Sequence, residues 1–387
     1  MKRTTILAVG MLPPPLGGQA IMFQRAVDGL NKYFDLTVID IQFQKNLGES
    51  GFFSLRKVFR FLSLLFGKIA PLRFTKRFDI LYYCIAGPST FGLIKDLIFL
   101  SLLRSRAQKT VYHFHGAGGV TFLMQKNAFL RLWARRVLFE PDLVLRPPAP
   151  SDDAVLSKAK RDVVLFNCVE DPIALLSEPV RKWPNAELSF VFIGVITEDK
   201  GVFDLIEIAR LLRDKGRRFT MFVVGEGLPE EISRLKALIG SYDLVDLVKL
   251  TGVLIGQQKI KLLQEATIFL FPTFFRAETQ PTVIMEAFAV GVPAVAYDWR
   301  GVNTIIEQGV NGYAVPVRDT AAFCRAVEHI LTEGNIDDMR IAARRIYLER
   351  FTVERHVEAL RLAFQSIYKE GRDACDRTVG SGVAMRR

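Results

Sequence analysis

The sequence predicts an α/β protein built of doubly wound parallel sheets. Three observations carry this. Short, unbroken apolar runs recur along the chain, among them TTILAV at 4–9, TIFLF at 267–271 and AVAY at 294–297, as strands buried on both faces require. Between them lie segments whose apolar residues repeat at helical spacing, joined by short connections rich in Gly and Pro. At 387 residues, half of them hydrophobic, the chain is long enough for two domains of ordinary size.

Taken in order, a strand at 4–9 is followed by the loop Gly10–Gly18, a helix from about Gln19 to Tyr33 and a strand at Leu36–Ile41. The alternation continues with a strand at Ile80–Cys84, a helix at Leu93–Leu103 and a strand at Thr110–Phe114. A strand at 163–167 precedes a stretch punctuated by Pro172, Pro179 and Pro184, which reads as an interdomain linker. The second half opens with a strand at 190–194 and a helix at Val202–Lys215, then strands at 220–225, 248–253 and 267–271. Pro281 opens a helix that Gly291 closes, and a strand follows at Ala294–Tyr297. From Arg372 the chain reads as a frayed tail.

Composition narrows the class further. Cys84, Cys168, Cys324 and Cys375 lie far apart in sequence, with no C-x-x-C and no His at metal spacing, so reduced thiols are expected rather than disulfides or structural zinc. The apolar run after Met1-Lys2-Arg3 is too short for a signal-peptide core, and no run of 18 apolar residues exists, so a cytoplasmic protein is expected. The net charge of +11 is one-sided: residues 1–170 hold 24 Lys and Arg against 12 Asp and Glu, and the remainder 28 against 29.

The basic excess is densest at 51–77, which has seven cations and no acid. Arg56, Lys57, Arg60, Lys68, Arg73, Lys76 and Arg77 interleave there with Phe52, Phe59 and other large apolar residues. So many aliphatics argue against a nucleic-acid surface. The mixture fits a helix lying in an anionic membrane interface, and a core helix with snorkelling basic ends is the other reading. The segment Lys126–Phe139, with Trp133, repeats the mixture more weakly.

Chemistry concentrates at strand ends. Glu278 lies in the loop after the 267–271 strand, and Glu286 lies on the helix that follows. A helix N-terminus at such a point favours an anion, but two carboxylates repel one, so their partners should be hydroxyls. A ligand with phosphate in the middle and polyols on either side, such as a nucleotide sugar, has that layout; a pair of merely solvated carboxylates is the bland alternative. The loop from Gly194 to Lys200-Gly201 enters a helix N-terminus and reads as a phosphate site. Gly17-Gly18 permits close backbone approach of a ligand but forms no dinucleotide fingerprint, and Gly225-Glu226-Gly227 also lacks a third glycine. Alternation puts His113 and His115 on one side of their strand, with a structural imidazole as the plainer reading and no metal-like partner for either.

In combination these motifs resemble glycosyltransferase family 4. Glu278, Gln280-Pro281 and Glu286-Ala287 match its E-x7-E element, and Gly194 with Lys200-Gly201 matches G-R-x-x-x-x-K-G, with Val195 in place of the Arg. Gly225 and Gly227 match I-V-G-x-G, Gly252 falls in the next strand end, and Gly301 matches G-G-x-x-E with Thr304 in place of the acid. Asn167–Glu170, Asn311-Gly312 and Phe351–Arg355 match the family's domain crossing, its N-G turn and the start of its last helix.

The resemblance implies the GT-B architecture, two Rossmann-like domains facing across a cleft. It places the acceptor domain at 1–168, a linker at 169–185 and the donor domain at 186–351. The helix at about 352–370 returns to the first domain, and 372–387 is the tail. It implies a retaining glycosyltransferase using a nucleotide sugar, with His115, Lys200 and Glu278 as catalytic residues. Gly17, Gly18, Gly194, Lys200, Gly225, Gly252, Glu278, Gln280, Pro281, Thr282 and Glu286 would bind the donor. No D-x-D occurs, so metal independence and no cofactor are expected. Together with the basic segment it suggests a peripheral protein of the inner membrane face, acting on a lipid-linked glycan or polyprenyl phosphate in surface polysaccharide synthesis, with no nucleic-acid partner. A nucleotide-sugar epimerase or a non-catalytic GT-B partner subunit would share the fold.

Overall fold

The structure is a computed structural model that describes residues 3–14, 17–43, 55–75, 77–87, 89–116, 119–148, 158–173, 187–276, 278–333 and 335–380. Contacts divide the chain into two compact units, Met1–Phe166 with Val353–Arg387, and Asn167–Thr352.

In the first unit, β1 (Thr5–Gly10), β2 (Asp35–Asp40), β3 (Phe78–Ile85), β4 (Ala107–Phe114), β5 (Leu143–Arg146) and β6 (Asp162–Val164) form one sheet in the order β2-β1-β3-β4-β5-β6. Every pairing is parallel. Both faces are covered, as a parallel sheet requires. On one face Ile6 and Ala8 pack under α1 (Gly18–Leu30) and α13 (Val353–Gly380) through Phe23, Leu360 and Phe364. On the other, Leu7 and Val9 meet α2 (Leu55–Leu64), a π-helical turn (Leu65–Ile69), α4 (Thr90–Leu103) and α6 (Ala128–Val137). Two short helices, α3 (Ala70–Thr75) and α5 (Gly119–Met124), complete this layer.

The second unit repeats the plan. Strands β7 (Leu188–Ile193), β8 (Phe219–Val224), β9 (Val248–Gly252), β10 (Ile268–Phe271), β11 (Ala294–Tyr297) and β12 (Gly312–Val315) form a parallel sheet in the order β12-β11-β10-β7-β8-β9. Its helices are α7 (Val202–Asp214), α8 (Pro229–Ser241), α9 (Gly256–Gln264), α10 (Thr282–Ala289), α11 (Thr320–Thr332) and α12 (Ile336–Arg350). The chain winds from β7 through β8 to β9, then returns to place β10 on the other side of β7. The strand order therefore reverses between β7 and β10, and a ligand crevice is expected outside the carboxyl ends of those two strands.

The expected strands are present within a few residues of their anticipated ends. The tail is a correction. No proline or glycine interrupts 372–379, and α13 runs on through Gly380 instead of fraying at Arg372; residues 381–387 lie outside the described residues.

Candidate active site

At the reversal point of the second sheet the loops after β7 and β10 converge. β7 ends at Ile193, and Gly194 donates its N–H to the Val224 carbonyl at the end of β8 (3.0 Å). Gly225 donates in turn to Gly252 (2.9 Å), so three glycines cap three adjacent strands. A Cβ on Gly225 would lie 1.8 Å from the Gly194 carbonyl oxygen, so no other residue fits. Glu198–Lys200 form one 3-10 turn, and Gly201, at φ 76°, starts α7. There a Cβ would lie 1.8 Å from the Pro272 carbonyl oxygen, just past β10. That close approach brings Lys200 beside the β10 loop.

The consequence is an ion pair. Lys200 Nζ lies 2.5 Å from Glu278 Oε2, and both side chains are mostly buried (16% and 15% exposed). The ammonium also sits over the Phe275 ring, 4.5 Å from its centroid. The Phe275 carbonyl accepts from Glu278 N (3.0 Å) and from Trp299 Nε1 (2.8 Å), which ties the loop after β11 to the same place. The N-termini of α7 and α10, capped by Gly201 and Pro281, have no side-chain cap, which leaves their first N–H groups for an anion. Glu286, in the second turn of α10, pairs with Lys259 of α9 at 2.9 Å and 3.0 Å. Lys259 escaped the sequence reading, because its partnership depends on how α9 packs beside α10.

The comparisons agree with this geometry. The family model for glycosyl transferases group 1 matches residues 187–333. The amylovoran biosynthesis glycosyltransferase of Erwinia amylovora is 34% identical over 154 residues, 39% of this chain and 37% of that protein. The matches thus span little more than a third of the curated relatives' length. Among solved structures, the sucrose-phosphate synthase of Thermosynechococcus elongatus has a TM-score of 0.70 at 16% identity, covering 95% of this chain and all of that one. Anabaena HepE in complex with UDP-glucose has a TM-score of 0.64 at 16% identity, covering 94% and 99%. These likenesses make the fold GT-B, as the sequence implied.

Other residues that the sequence singled out fall out differently. Gln280 is buried, and its side-chain oxygen accepts from Asn167 N (2.7 Å) while Asn167 Nδ2 donates to its carbonyl (3.1 Å). Its side chain thus holds the start of the second unit, and Gln280 Nε2 has no partner among the described residues. Thr282 opens α10, half-buried. Val195 is exposed, and Thr304 turns its hydroxyl back onto the Gly301 carbonyl (2.6 Å). Asn311, fully buried, accepts from Glu307 N (2.8 Å) and donates to the Ile305 carbonyl (3.1 Å), so it builds the turn before β12. Arg300, next to Trp299, lies 5.4 Å from that ring's centroid, and its buried Nε has no partner among the described residues.

In the first unit, Gly17 is the N-cap of α1, and a Cβ on Gly18 would meet nothing within 4 Å. The chain itself does not require glycine at 18. His115 follows β4, its ring 3.9 Å from that of His113. Burial, and then the neighbouring His356, hold the His115 imidazole down to about pKa 3, and burial likewise keeps His113 far below its ordinary value. Both are neutral at physiological pH. The expectation that neither has a metal-like partner needs correction: β3 lies beside β4, and Cys84 Sγ is 3.6 Å from His115 Nε2. Residues 31 apart in sequence are brought together by the register of adjacent strands, which spacing along the chain does not show.

The basic segment is two-faced. Phe61 stacks on Phe99 of α4 (5.4 Å), and Leu64 and Ile69 enter the core. Phe59, Leu62, Phe66 and Phe74 are exposed, Phe74 by 84%, along with Arg60, Lys68 and Arg77. On α6, which also packs on α4, Phe129 and Leu132 are exposed with Arg131, Arg135 and Arg136. Phe52, Lys76 and the side chains of Arg56, Lys57 and Arg73 lie outside the described residues. No helix among the described residues is long and apolar enough to cross a membrane.

Proposed function

We propose that the protein is a retaining glycosyltransferase that moves a sugar from a nucleotide-sugar donor to a lipid-linked saccharide or polyprenyl-phosphate acceptor in surface polysaccharide synthesis. The observation that carries this reading is the Lys200–Glu278 pair at the reversal of the second sheet, between two uncapped helix N-termini. A donor diphosphate takes over Lys200 from Glu278. The ammonium exchanges a carboxylate for a phosphate, and Glu278 is released toward the sugar hydroxyls. Glu286 exchanges Lys259 for the ribose hydroxyls in the same way. As the glycosidic bond breaks, charge grows on the leaving phosphate oxygen, where Lys200 and the helix N-termini stabilise it. The leaving oxygen can accept the acceptor proton, so the reading assigns no covalent nucleophile and no metal. Arg300 is the second cation in place of the Arg missing at Val195.

The exposed phenylalanines and cations of α2, the π-turn and α6 support a peripheral position on an anionic bilayer, at the inner face of the cytoplasmic membrane. Inserted rings and headgroup-bound cations would hold the first unit where lipid-linked acceptors lie. The test is transfer from radiolabelled nucleotide sugars to membrane lipid extracts. It is guided by thermal shifts with UDP, GDP, ADP and CMP, beginning with UDP, the nucleotide of the Anabaena complex. Label in the lipid fraction supports the reading. Nucleotide binding without transfer to any acceptor would favour a non-catalytic partner subunit.

A further inference from the structure

We propose that Cys84, His113 and His115 form a binding site for one divalent transition-metal ion of the zinc class. Their ligating atoms lie within 4.8 Å of one another. The Sγ–Nε2 distance of 3.6 Å between Cys84 and His115 is what shared coordination demands. With metal–sulfur near 2.3 Å and metal–nitrogen near 2.0–2.1 Å, a tetrahedral ion separates two such ligands by about 3.5 Å. One thiolate and two imidazoles select zinc, cobalt or copper over magnesium, calcium or manganese.

The frame is rigid. Cys84 and His113 are register partners in β3 and β4, and His115 follows two residues on, on the same face. Tyr82 Oη, 2.7 Å from His113 Nδ1, fixes that ring from behind, as outer hydrogen bonds do for metal-binding imidazoles. A third imidazole lies close enough to act electrostatically on both. It is that of buried His356, whose Nδ1 is hydrogen-bonded to the Phe166 carbonyl (2.6 Å) and whose Nε2 has no partner among the described residues. His115 is half-buried at the strand end, which gives an ion a way in and leaves a fourth position for water. On binding, the Cys84 S–H bond breaks, its electron pair forms the sulfur–metal bond and the proton leaves to solvent; nothing is oxidised. An ion there would occupy His115, so, resting on the function proposed above, zinc would inhibit sugar transfer.

Cobalt(II) titration of the full chain tests the site without reference to activity. The expected result is one equivalent bound, with a thiolate-to-cobalt charge-transfer band that zinc abolishes by displacement. Cys84→Ser should remove the band, and His115→Ala should weaken cobalt binding by about tenfold or more. The second variant changes a side chain at the end of β4, outside the strand itself, and keeps the test valid if the first does not fold. Absence of the band, its survival in Cys84→Ser, or unchanged affinity in His115→Ala would overturn the site. Cobalt binding by a protein that transfers no sugar would leave the site standing and remove only the inhibition.

Discussion

The two units keep their charge in different places. In the second, acidic residues slightly outnumber basic ones, and Lys200, Glu278, Lys259 and Glu286 stand as close ion pairs beyond the carboxyl ends of the sheet. In the first, the ends of β3 and β4 hold imidazoles, a thiol and a tyrosine without charge beside the buried Lys95–Asp96 pair, while exposed cations stand on α2, the π-turn and α6. Paired charges can be traded for those of an incoming diphosphate at little cost, because the cation is never left bare. Neutral, desolvated imidazoles suit hydroxyl partners better than a diphosphate, and an exposed basic face would suit an anionic surface.

The largest expected effect comes from breaking the charged end. Lys200→Ala should reduce turnover by about two to three orders of magnitude, the cost of losing one transition-state electrostatic donor. It also leaves Glu278 mostly buried without its cation, so thermal stability should fall together with rate. Near-native transfer by this variant would show that the pair is structural only.

The neutral end should respond to pH instead. Burial holds His356 down to about pKa 4 in the folded chain against 6.5 ordinarily, with its bond to Phe166 opposing and Arg25 assisting. Above 6.5 both states are neutral and folding is unaffected. As pH falls from 6.5 toward 4, the unfolded chain takes up a proton that the folded chain refuses, and stability is lost. For one imidazole that loss is on the order of 3 kcal/mol. Urea titrations across this window should show it, and His356→Asn, whose amide can still donate to Phe166, should remove one imidazole's share of the slope, with His113 and His115 keeping theirs. An unchanged slope would mean that His356 is not buried neutral.

Sequence alone revealed the charged end better than the neutral one, for physical reasons. Lys200 and Glu278 each follow an apolar strand stopped by glycine or proline, and a doubly wound sheet must bring such strand ends together. Cys84 and Lys259 gave no such signal, because each meets its partner through lateral packing: strand register for Cys84, helix contact for Lys259. Gln280 matches a motif, yet the fold uses its side chain on Asn167. For α2 the choice between core and membrane helix rested on composition. The structure shows one face packed in the core and the other exposed, since Phe61 and Phe59 are two residues apart and point to opposite sides.

Glu286→Ala sharpens the contrast within the charged end. Losing a charge-assisted hydrogen bond to ribose should weaken nucleotide binding by about 1.5–3 kcal/mol, roughly ten- to 150-fold, by calorimetry. His115→Ala, in the neutral end, should leave free-nucleotide affinity nearly unchanged while impairing transfer. Equal losses in both variants would remove the specific assignment of Glu286 to the ribose.

The smallest expected effect tests the outer face. Arg60 and Lys68 are exposed among Phe59, Leu62 and Phe66, so their charges can reach lipid phosphates while the rings enter the acyl boundary. Each cation near an anionic bilayer contributes about 1 kcal/mol, so Arg60→Ser with Lys68→Ser should weaken vesicle binding by about 2 kcal/mol, near thirtyfold. Co-sedimentation with phosphatidylserine vesicles measures this, and the wild-type interaction should weaken steeply with salt. Phe59→Ser with Phe66→Ser should weaken binding at every salt concentration, because insertion is not screened. Both pairs lie in the first unit and outside the donor motifs, so nucleotide affinity should be unchanged. Equal binding of the native chain to neutral and anionic vesicles, or to neither, would remove the membrane from the comparison and make a soluble glycan the better acceptor.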